Sequence, residues 1–273
     1  MSDLKDELWE IVNQSQNEKQ KCSKQSEDGK KMTNDVCEKC GGRGWYFVDY
    51  NTVRECECGI LERERQESKL AFATIPETYK DVHLEDWKRS PYKDEFKTQA
   101  RTIAESVKGY FEHIDEFEKE GKGFYFWSNT KGSGKTMMAA AIANELITKY
   151  RRFAKFATSL DILDEIKATF NSHSEDTESK LLSDLSRADF LIIDDFGTER
   201  VTDWVGEKFY QIINGRYINK KVTIFTSNNN LESLQYDERI KSRISERSFK
   251  VHFPEQSIRE LKAFRENRGL SVE

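Results

Sequence analysis

The amino-acid sequence predicts an α/β fold: a parallel β-sheet flanked by helices, preceded by a small module that bears cysteines. Three observations lead to this prediction. A short apolar run at 124–127 is followed by a glycine-rich turn and then by a helix of small residues that starts near Met137. A second apolar run, at 190–193, ends in two acids, as a buried parallel strand does when it delivers carboxylates to a site. Two close pairs of cysteines stand at 37–58, ahead of both runs.

Composition and charge limit the class of protein. A chain of 273 residues is long enough for one large domain, alone or with a small appendage. Charged residues make up 34% of the chain and the formal net charge is -5, so we do not expect it to coat duplex DNA through bulk charge. The sequence shows neither an export signal nor a long apolar span, and we therefore expect a cytoplasmic protein with no membrane partner.

Residues 1–35 predict a short helix and a polar linker. Leu4, Leu8 and Trp9 fall at helical spacing, and a stretch rich in Gln, Lys, Ser and Glu follows them. Cys22 stands alone in that stretch, and we assign it no role. The remaining chain is predicted to form two further segments, 36–74 and 75–273.

Residues 36–74 predict a zinc-binding module and a connecting helix at 60–73. Two cysteine pairs on either side of a predicted hairpin can bring four thiolates to one tetrahedral ion, which leaves no open position for catalysis. So small a segment cannot bury a core, so the metal would supply the folding energy. An iron–sulfur cluster also takes four cysteines, and unrelated reduced thiols are the other alternative. The predicted zinc ligands are Cys37, Cys40, Cys56 and Cys58.

Residues 128–136 have the pattern of a phosphate-binding loop. Gly132 and Gly134 allow the backbone to wrap a polyphosphate with its N–H groups pointing inward. Lys135 brings a positive charge to the outer phosphates, and the Thr136 hydroxyl is placed to ligate Mg²⁺. Asn129 replaces the first glycine of the pattern, and we expect it to close the turn because Asn tolerates a left-handed backbone. The predicted nucleotide-binding residues of the loop are Asn129, Thr130, Lys131, Gly132, Ser133, Gly134, Lys135, Thr136 and Met137.

Polar side chains follow the later predicted strands. Asp194 would hold the Mg²⁺, and Asp195 would orient or deprotonate an attacking water. Asn228 follows the apolar strand at 221–227 and would lie beside the γ-phosphate. These residues predict a site that hydrolyses a nucleoside triphosphate.

Two arginines follow on a predicted helix, and a third lies near the C-terminus. Arg239 and Arg243 are four residues apart and share one helix face. Arginine stabilises charge on a transferring phosphoryl group, often from a neighbouring subunit. Arg259 follows the last predicted strand and is a candidate second phosphate sensor.

Apolar spacing predicts the elements between these motifs. Helical spacing extends over 96–120, and Ser159 or Asp161 is expected to cap a helix at 160–170. The polar stretch 171–179 is expected to be an exposed loop before a second helix. The other two predicted strands of the sheet are 153–157 and 248–253.

The set of motifs SNTKGSGKT, FLIIDDFG, TIFTSN and DERIKSR resembles the AAA+ ATPases of the bacterial helicase-loader group, the DnaC and DnaI proteins and their phage relatives. The resemblance covers roughly 75–259. The segment CEKCGGRGW…CECG, followed by IPETY, also resembles the front end of the DnaI-like and phage loaders. This pairing is the more specific part of the resemblance.

The resemblance implies an AAA+ ATPase domain without a separate lid. It also implies a factor that uses ATP, Mg²⁺ and Zn²⁺, binds a DnaB-type replicative helicase through its zinc-bearing portion, binds single-stranded DNA and self-associates. Asp195 stands where AAA+ motors commonly have Glu, which fits slow, switch-like hydrolysis. By motif, Lys135 and Thr136 match Walker A, Asp194 and Asp195 Walker B, Asn228 sensor 1, Arg243 the arginine finger and Arg259 sensor 2.

Other functions fit part of the pattern. A transposition helper ATPase of the IstB type has a very similar core, but as far as the resemblance goes it lacks the zinc-bearing front end. A helicase-binding adaptor with a vestigial ATPase site would not need the intact lysine, acids and arginine. A replication-initiator ATPase fits less well, because no helix-turn-helix pattern follows the core.

Overall fold

The computed structural model describes residues 37–49, 52–61, 73–88, 92–170 and 176–269. By its internal contacts the chain divides into two units, Met1–Ser68 and Lys69–Glu273. The helix and linker predicted at 1–35 lie outside the described residues, as does most of the connecting helix predicted at 60–73. The three-part division of the chain stays a prediction.

In the first unit, the predicted hairpin is present as two antiparallel strands. Strand β1 (Trp45–Asp49) pairs with β2 (Thr52–Glu55), and Trp45 lies opposite Glu55. Neither strand contributes a fully buried side chain. A two-stranded unit without an apolar core is marginal in water, so this one needs another source of stability.

The second unit is built on a five-stranded parallel sheet, which confirms the predicted α/β class. Its strands are β3 (Gly123–Trp127), β4 (Ala154–Thr158), β5 (Phe190–Asp194), β6 (Val222–Ser227) and β7 (Ser248–His252). In the sheet they lie in the order β4, β5, β6, β3, β7, with every neighbouring pair parallel. Ligands of such sheets bind beyond the carboxyl ends of the strands. At this edge the phosphate loop follows β3, Asp194 ends β5 with Asp195 directly after it, and Asn228 follows β6.

Helices cover both faces of the sheet. Alternate side chains of β3 point to opposite faces, because Phe124 and Phe126 pack in one buried cluster and Tyr125 packs in the other. A short 3₁₀ turn at Glu77–Tyr79 comes before the first helix. The helices are α1 (Leu84–Lys88), α2 (Asp94–Glu112), α3 (Ile114–Glu120), α4 (Lys135–Thr148), α5 (Ser159–Thr169), α6 (Asp176–Arg187), α7 (Asp203–Ile218), α8 (Glu238–Arg247) and α9 (Ile258–Gly269).

The cap predicted for α5 was wrong. Thr158 is the N-cap: its side chain accepts a hydrogen bond from the Asp161 N–H, and the Asp161 carboxylate accepts one from the Thr158 N–H. Asp161 therefore occupies the third helical position (N3) and completes a capping box with Thr158. Ser159 is already the first helical residue, and its hydroxyl oxygen instead lies 2.5 Å from the Glu199 carboxylate and 3.2 Å from the Asp195 carbonyl.

Two predicted boundaries also differ. The helical spacing over 96–120 corresponds to two helices, α2 and α3, because the backbone leaves the helical region at His113 (φ -119°, ψ 24°). The predicted loop at 171–179 overlaps α6, which begins at Asp176, whereas 171–175 lie outside the described residues. Glu178 of that helix is paired with Lys208 of α7 at 2.6 Å.

Helix α7 was not predicted, although its sequence contains the signals. Thr202 caps it by accepting a hydrogen bond from the Val205 N–H. Val205, Phe209 and Ile212 form a buried stripe at helical spacing. Near its end, the buried Arg216 donates hydrogen bonds to the backbone carbonyls of Leu185, Ala188, Asp189 and Val222.

Candidate nucleotide and zinc sites

The two glycines of the phosphate loop have conformations that other residues rarely adopt. The φ angles are 74° at Gly132 and 94° at Gly134. A Cβ atom at Gly134 would lie 2.5 Å from the Trp87 ring, and one at Gly132 would lie 2.9 Å from the Ser257 hydroxyl oxygen. Both positions therefore require glycine for backbone angle and for space.

Asn129 does not close the turn in the way we predicted. It is absent from the described residues with positive φ, so its tolerance of a left-handed backbone is not used. Its N–H donates to a Glu255 carboxylate oxygen at 3.0 Å, and the Thr130 hydroxyl donates to the other oxygen at 2.7 Å. A carboxylate from beyond β7 thus fixes this end of the loop.

Lys135 begins α4 directly after the loop and is 4% exposed. Its ammonium group donates to the carbonyls of Ser128 (3.4 Å) and Thr130 (3.1 Å) and to the Ser133 hydroxyl (3.1 Å). Burial lowers the pKa of this amine, and the nearby charges of Asp195, Glu255 and Asp194 act in the opposite direction. The ammonium is thus held within the loop, where it can meet an anion.

Asp194 ends β5 and faces the first turn of α4. Its carboxylate accepts a hydrogen bond from the Thr226 hydroxyl at 2.6 Å, and the Thr136 hydroxyl lies near enough to influence its pKa. Burial raises its pKa to about 6, and repulsion from Asp195 adds to this, while those hydroxyls and Lys135 oppose the shift. Thr136 and Asp194, the two side chains predicted to hold Mg²⁺, are therefore neighbours, and both offer oxygen, the ligand atom that this ion prefers.

Asp195 has a strained backbone, with φ at 53°. Its N–H donates to the Thr226 hydroxyl at 2.9 Å, and its carbonyl accepts from Ser159 (3.2 Å) and Thr198 (2.8 Å). The Asn228 amide lies 3.5 Å from its carboxylate. The structure therefore places the predicted pair, Asp195 and Asn228, side by side at the carboxyl edge of the sheet.

Glu255 is a site residue that we did not predict. Burial alone would raise the pKa of its carboxyl, but hydrogen bonds from His252, Thr130 and the Asn129 N–H lower it to about 2. It is therefore ionised at neutral pH. The sequence gives no local signal for this contact, because Glu255 is separated from Asn129 by more than a hundred residues of chain.

The C-terminal helix α9 starts against the phosphate loop. The Ile258 N–H donates to the Gly132 carbonyl at 2.9 Å, and a Cβ at Gly132 would lie 3.1 Å from the Cβ of Arg259. The candidate sensor Arg259 is thus next to the loop, with an exposed side chain.

Arg243 lies on α8, and its hydrogen bonds are to α7 and to its own helix. Its guanidinium donates to the Asn214 side chain at 2.9 Å, the Arg239 carbonyl at 2.9 Å and the Tyr210 hydroxyl at 3.4 Å. None of these partners belongs to the phosphate loop. Among the described residues Arg243 thus makes no hydrogen bond to Lys135, Asp194 or Asp195, and the roles predicted for these residues stay predictions.

The four predicted cysteines lie together at the base of the hairpin. Their sulfur atoms are all within 4.8 Å of one another, and all four are free thiols rather than disulfides. The Sγ atoms of Cys37 and Cys56 are 3.7 Å apart, and those of Cys40 and Cys58 are 3.6 Å apart. With a Zn–S bond of about 2.3 Å, the edge of a tetrahedron is roughly 3.8 Å. The arrangement of the four Sγ atoms therefore fits one tetrahedral zinc ion.

Within the described part of the chain, no helix combines the length and apolar character needed to cross a membrane.

This chain is similar to one family of ATP-binding proteins and to curated replication and phage proteins. Residues 127–252 match the family described as IstB-like ATP binding protein. The replicative helicase loader DnaC of Escherichia coli (strain K12) is 29% identical over 174 residues, which are 64% of this chain and 68% of DnaC. The phage-like element PBSX protein XkdC of Bacillus subtilis (strain 168) is 27% identical over 218 residues, 77% of this chain and 78% of XkdC.

Solved structures give the same fold. The crystal structure of the DnaC helicase loader superposes with a TM-score of 0.53 and 24% identity, covering 65% of this chain and 99% of the solved one. The fold is therefore that of a P-loop ATPase of AAA+ type. This follows from the order and direction of the strands, from the phosphate loop and from these similarities.

Proposed function

We propose that this chain, which is similar to DnaC in sequence and in fold, is an ATP-dependent loader of a replicative helicase. It would bind a DnaB-type helicase and help to place it on single-stranded DNA during replication initiation. The observation that carries the proposal is the presence, in one chain similar to DnaC, of a phosphate loop facing two acids and of a four-cysteine cluster.

In this proposal, ATP binds with its phosphates against the amides of 132–136 and the Lys135 ammonium. Thr136 and Asp194 hold Mg²⁺, which neutralises charge on the outer phosphates when bound. Asp195 and Asn228 position the attacking water. Arg259 reports on the bound nucleotide from its place beside Gly132.

The proposal includes self-association through Arg243. The contacts of its side chain with α7 support action on the nucleotide of a neighbouring subunit rather than on that of its own chain. Oligomerisation would then complete the ATPase site, and the single-stranded DNA would bind the assembled form.

The Asp195→Asn variant is expected to bind ATP with wild-type affinity and to lose hydrolysis. Asparagine has the same shape and tolerates the left-handed backbone of this position, but its amide cannot take the proton of the attacking water. Single-turnover hydrolysis and a titration with fluorescent ATP measure the two properties separately. Asp164→Asn, which changes an exposed acid of α5, is the control and should behave as wild type. Normal hydrolysis by Asp195→Asn would remove Asp195 from the proposed mechanism.

A pull-down with the purified replicative helicase of the host tests the function directly. We expect the full-length chain to capture helicase, and the stability of the complex to differ between ATP, ADP and no nucleotide. Capture that is equal under all three conditions would favour an adaptor with a vestigial ATPase site. Failure to capture helicase under any of them would contradict the proposal.

The match to IstB-like ATP binding proteins favours a second candidate, a transposition helper ATPase. The match covers only the ATPase unit, which both classes share, whereas the cysteine cluster lies outside it. A chain of this second class would stimulate a transposase and would not need the helicase. Parallel pull-downs with the two partners distinguish these functions.

A further inference from the structure

We propose that Tyr210 is a positioning residue, which holds the guanidinium groups of Arg239 and Arg243 in place for the terminal phosphates of a nucleotide bound to a second copy of this chain. The inference rests on the proposed function, since it requires that the second copy binds ATP. It assigns a role to α7, the helix that the sequence did not predict.

The first observation is a ladder of stacked side chains between α7 and α8. The guanidinium carbons of Arg239 and Arg243 lie 4.8 Å and 5.1 Å from the centre of the Tyr210 ring. Those of Arg243 and Arg247 lie 5.4 Å and 4.9 Å from the centre of the Tyr217 ring. The three arginines follow one another at four-residue spacing on one face of α8, and Arg243 lies between the two rings.

The second observation is the distribution of charge along this ladder. Arg239 is paired with Asp237 at 2.9 Å, and Arg247 lies 3.8 Å from Glu246. Arg243 has no carboxylate partner in the part of the chain that the structure describes; its hydrogen bonds go to neutral groups. A stacked, half-buried guanidinium with no counter-ion is suited to receive an anion from outside the chain.

Stacking also explains why a tyrosine serves this purpose. An arginine side chain loses much rotamer entropy when it is fixed, and a ring that fixes it beforehand reduces the cost of binding. The ring covers the flat face of the guanidinium. Three of the five N–H groups of Arg243 donate hydrogen bonds within the chain, and the other two can meet phosphate oxygens. Because Tyr210 contacts both Arg239 and Arg243, one ring aligns two donors.

The test compares Tyr210→Leu with Tyr210→Phe in the full-length protein at concentrations where it assembles. We expect Tyr210→Leu to lower ATP turnover about tenfold, because the arginines lose their alignment. Tyr210→Phe keeps the ring and should retain turnover within about threefold. ATP affinity should stay at the wild-type value in both, and the melting temperature should fall by only a few degrees at most, because Tyr210 is only partly buried against the second cluster. Gln211→Ala, which removes an exposed side chain of the same helix, is the control.

A packing role for Tyr210 predicts a different pattern. Tyr210→Leu would then lower the melting temperature and the ATP affinity together, and this result would overturn the proposal. Wild-type turnover by Tyr210→Leu would also overturn it. Arg243→Ala distinguishes a wrong positioning role for Tyr210 from a wrong proposed function. If Arg243→Ala loses turnover while Tyr210→Leu does not, only the positioning role is wrong. If both variants hydrolyse ATP at the wild-type rate, the assignment of Arg243 as an arginine finger is wrong.

Mixing subunits tests whether the action is between copies. Lys135→Ala subunits have intact arginines but an impaired nucleotide site, and Tyr210→Leu subunits have the reverse. We expect the mixture to hydrolyse ATP several-fold faster than the sum of the separate variants. In the mixture the correctly held arginines of Lys135→Ala subunits can face the nucleotide bound to Tyr210→Leu subunits. A mixture no faster than that sum would overturn action in a second copy.

Discussion

Lys135→Ala is expected to weaken ATP binding by at least about 100-fold, equivalent to roughly 2.7 kcal/mol, and to abolish nucleotide-dependent loading. The lysine is the buried cation of the phosphate loop, and its ammonium group is held by oxygens of that loop. Without it the outer phosphates would face carbonyl oxygens and the acids Asp194 and Asp195. A titration with a fluorescent ATP analogue measures the loss.

The same variant should still bind helicase, because its cysteine cluster is unchanged. Lys108→Ala removes an exposed lysine of α2 and is the matched control, expected to bind ATP normally. Since Lys135 is buried, a melting curve must accompany the titration. Wild-type ATP affinity in a folded Lys135→Ala protein would contradict the assignment of the nucleotide site.

Cys40→Ser is expected to unfold the hairpin module and to remove helicase binding, while ATP binding by the second unit continues. Structural zinc sites supply about 10–16 kcal/mol of apparent binding free energy, and this hairpin has no apolar core to replace it. Cys40 is fully buried, and its Sγ also accepts the Gly44 N–H at 3.3 Å. Metal analysis, which should find one zinc per chain in the wild type, measures the loss directly.

The control for this variant is Cys22→Ser, because that cysteine lies outside the predicted ligand set. It should keep one zinc per chain and bind helicase as the wild type does. A chelator should reproduce the effect of Cys40→Ser on the wild type, and added zinc should reverse it. Retention of a full zinc content by Cys40→Ser would contradict the four-thiolate site.

Much of the fold could be predicted because its determinants are local in sequence. The apolar runs of β3, β5 and β6 are buried on both faces of the sheet and end in polar residues, which is typical of central parallel strands. The hairpin was predictable because two short runs on either side of a turn stand between the cysteine pairs. Helix α7 was not predicted, although Thr202 and a buried stripe at helical spacing mark it, because it contains none of the motifs of the nucleotide site.

Other features depend on contacts between distant parts of the chain, which no local pattern contains. Glu255 meets Asn129 only because β7 lies next to β3 in the sheet. Trp87 is likewise distant from Gly134 in sequence, and its ring makes glycine necessary at 134. The departure at Asn129 drew attention to backbone angle, whereas the structure shows that a distant carboxylate fixes that residue.

A crystal structure of the full-length chain with Mg²⁺ and a non-hydrolysable ATP analogue tests the central claim most directly. The account predicts the triphosphate against the amides of 132–136 and the Lys135 ammonium, with Mg²⁺ between Thr136 and Asp194. An analogue bound elsewhere, or a loop that leaves its amides turned away from the phosphates, would contradict it.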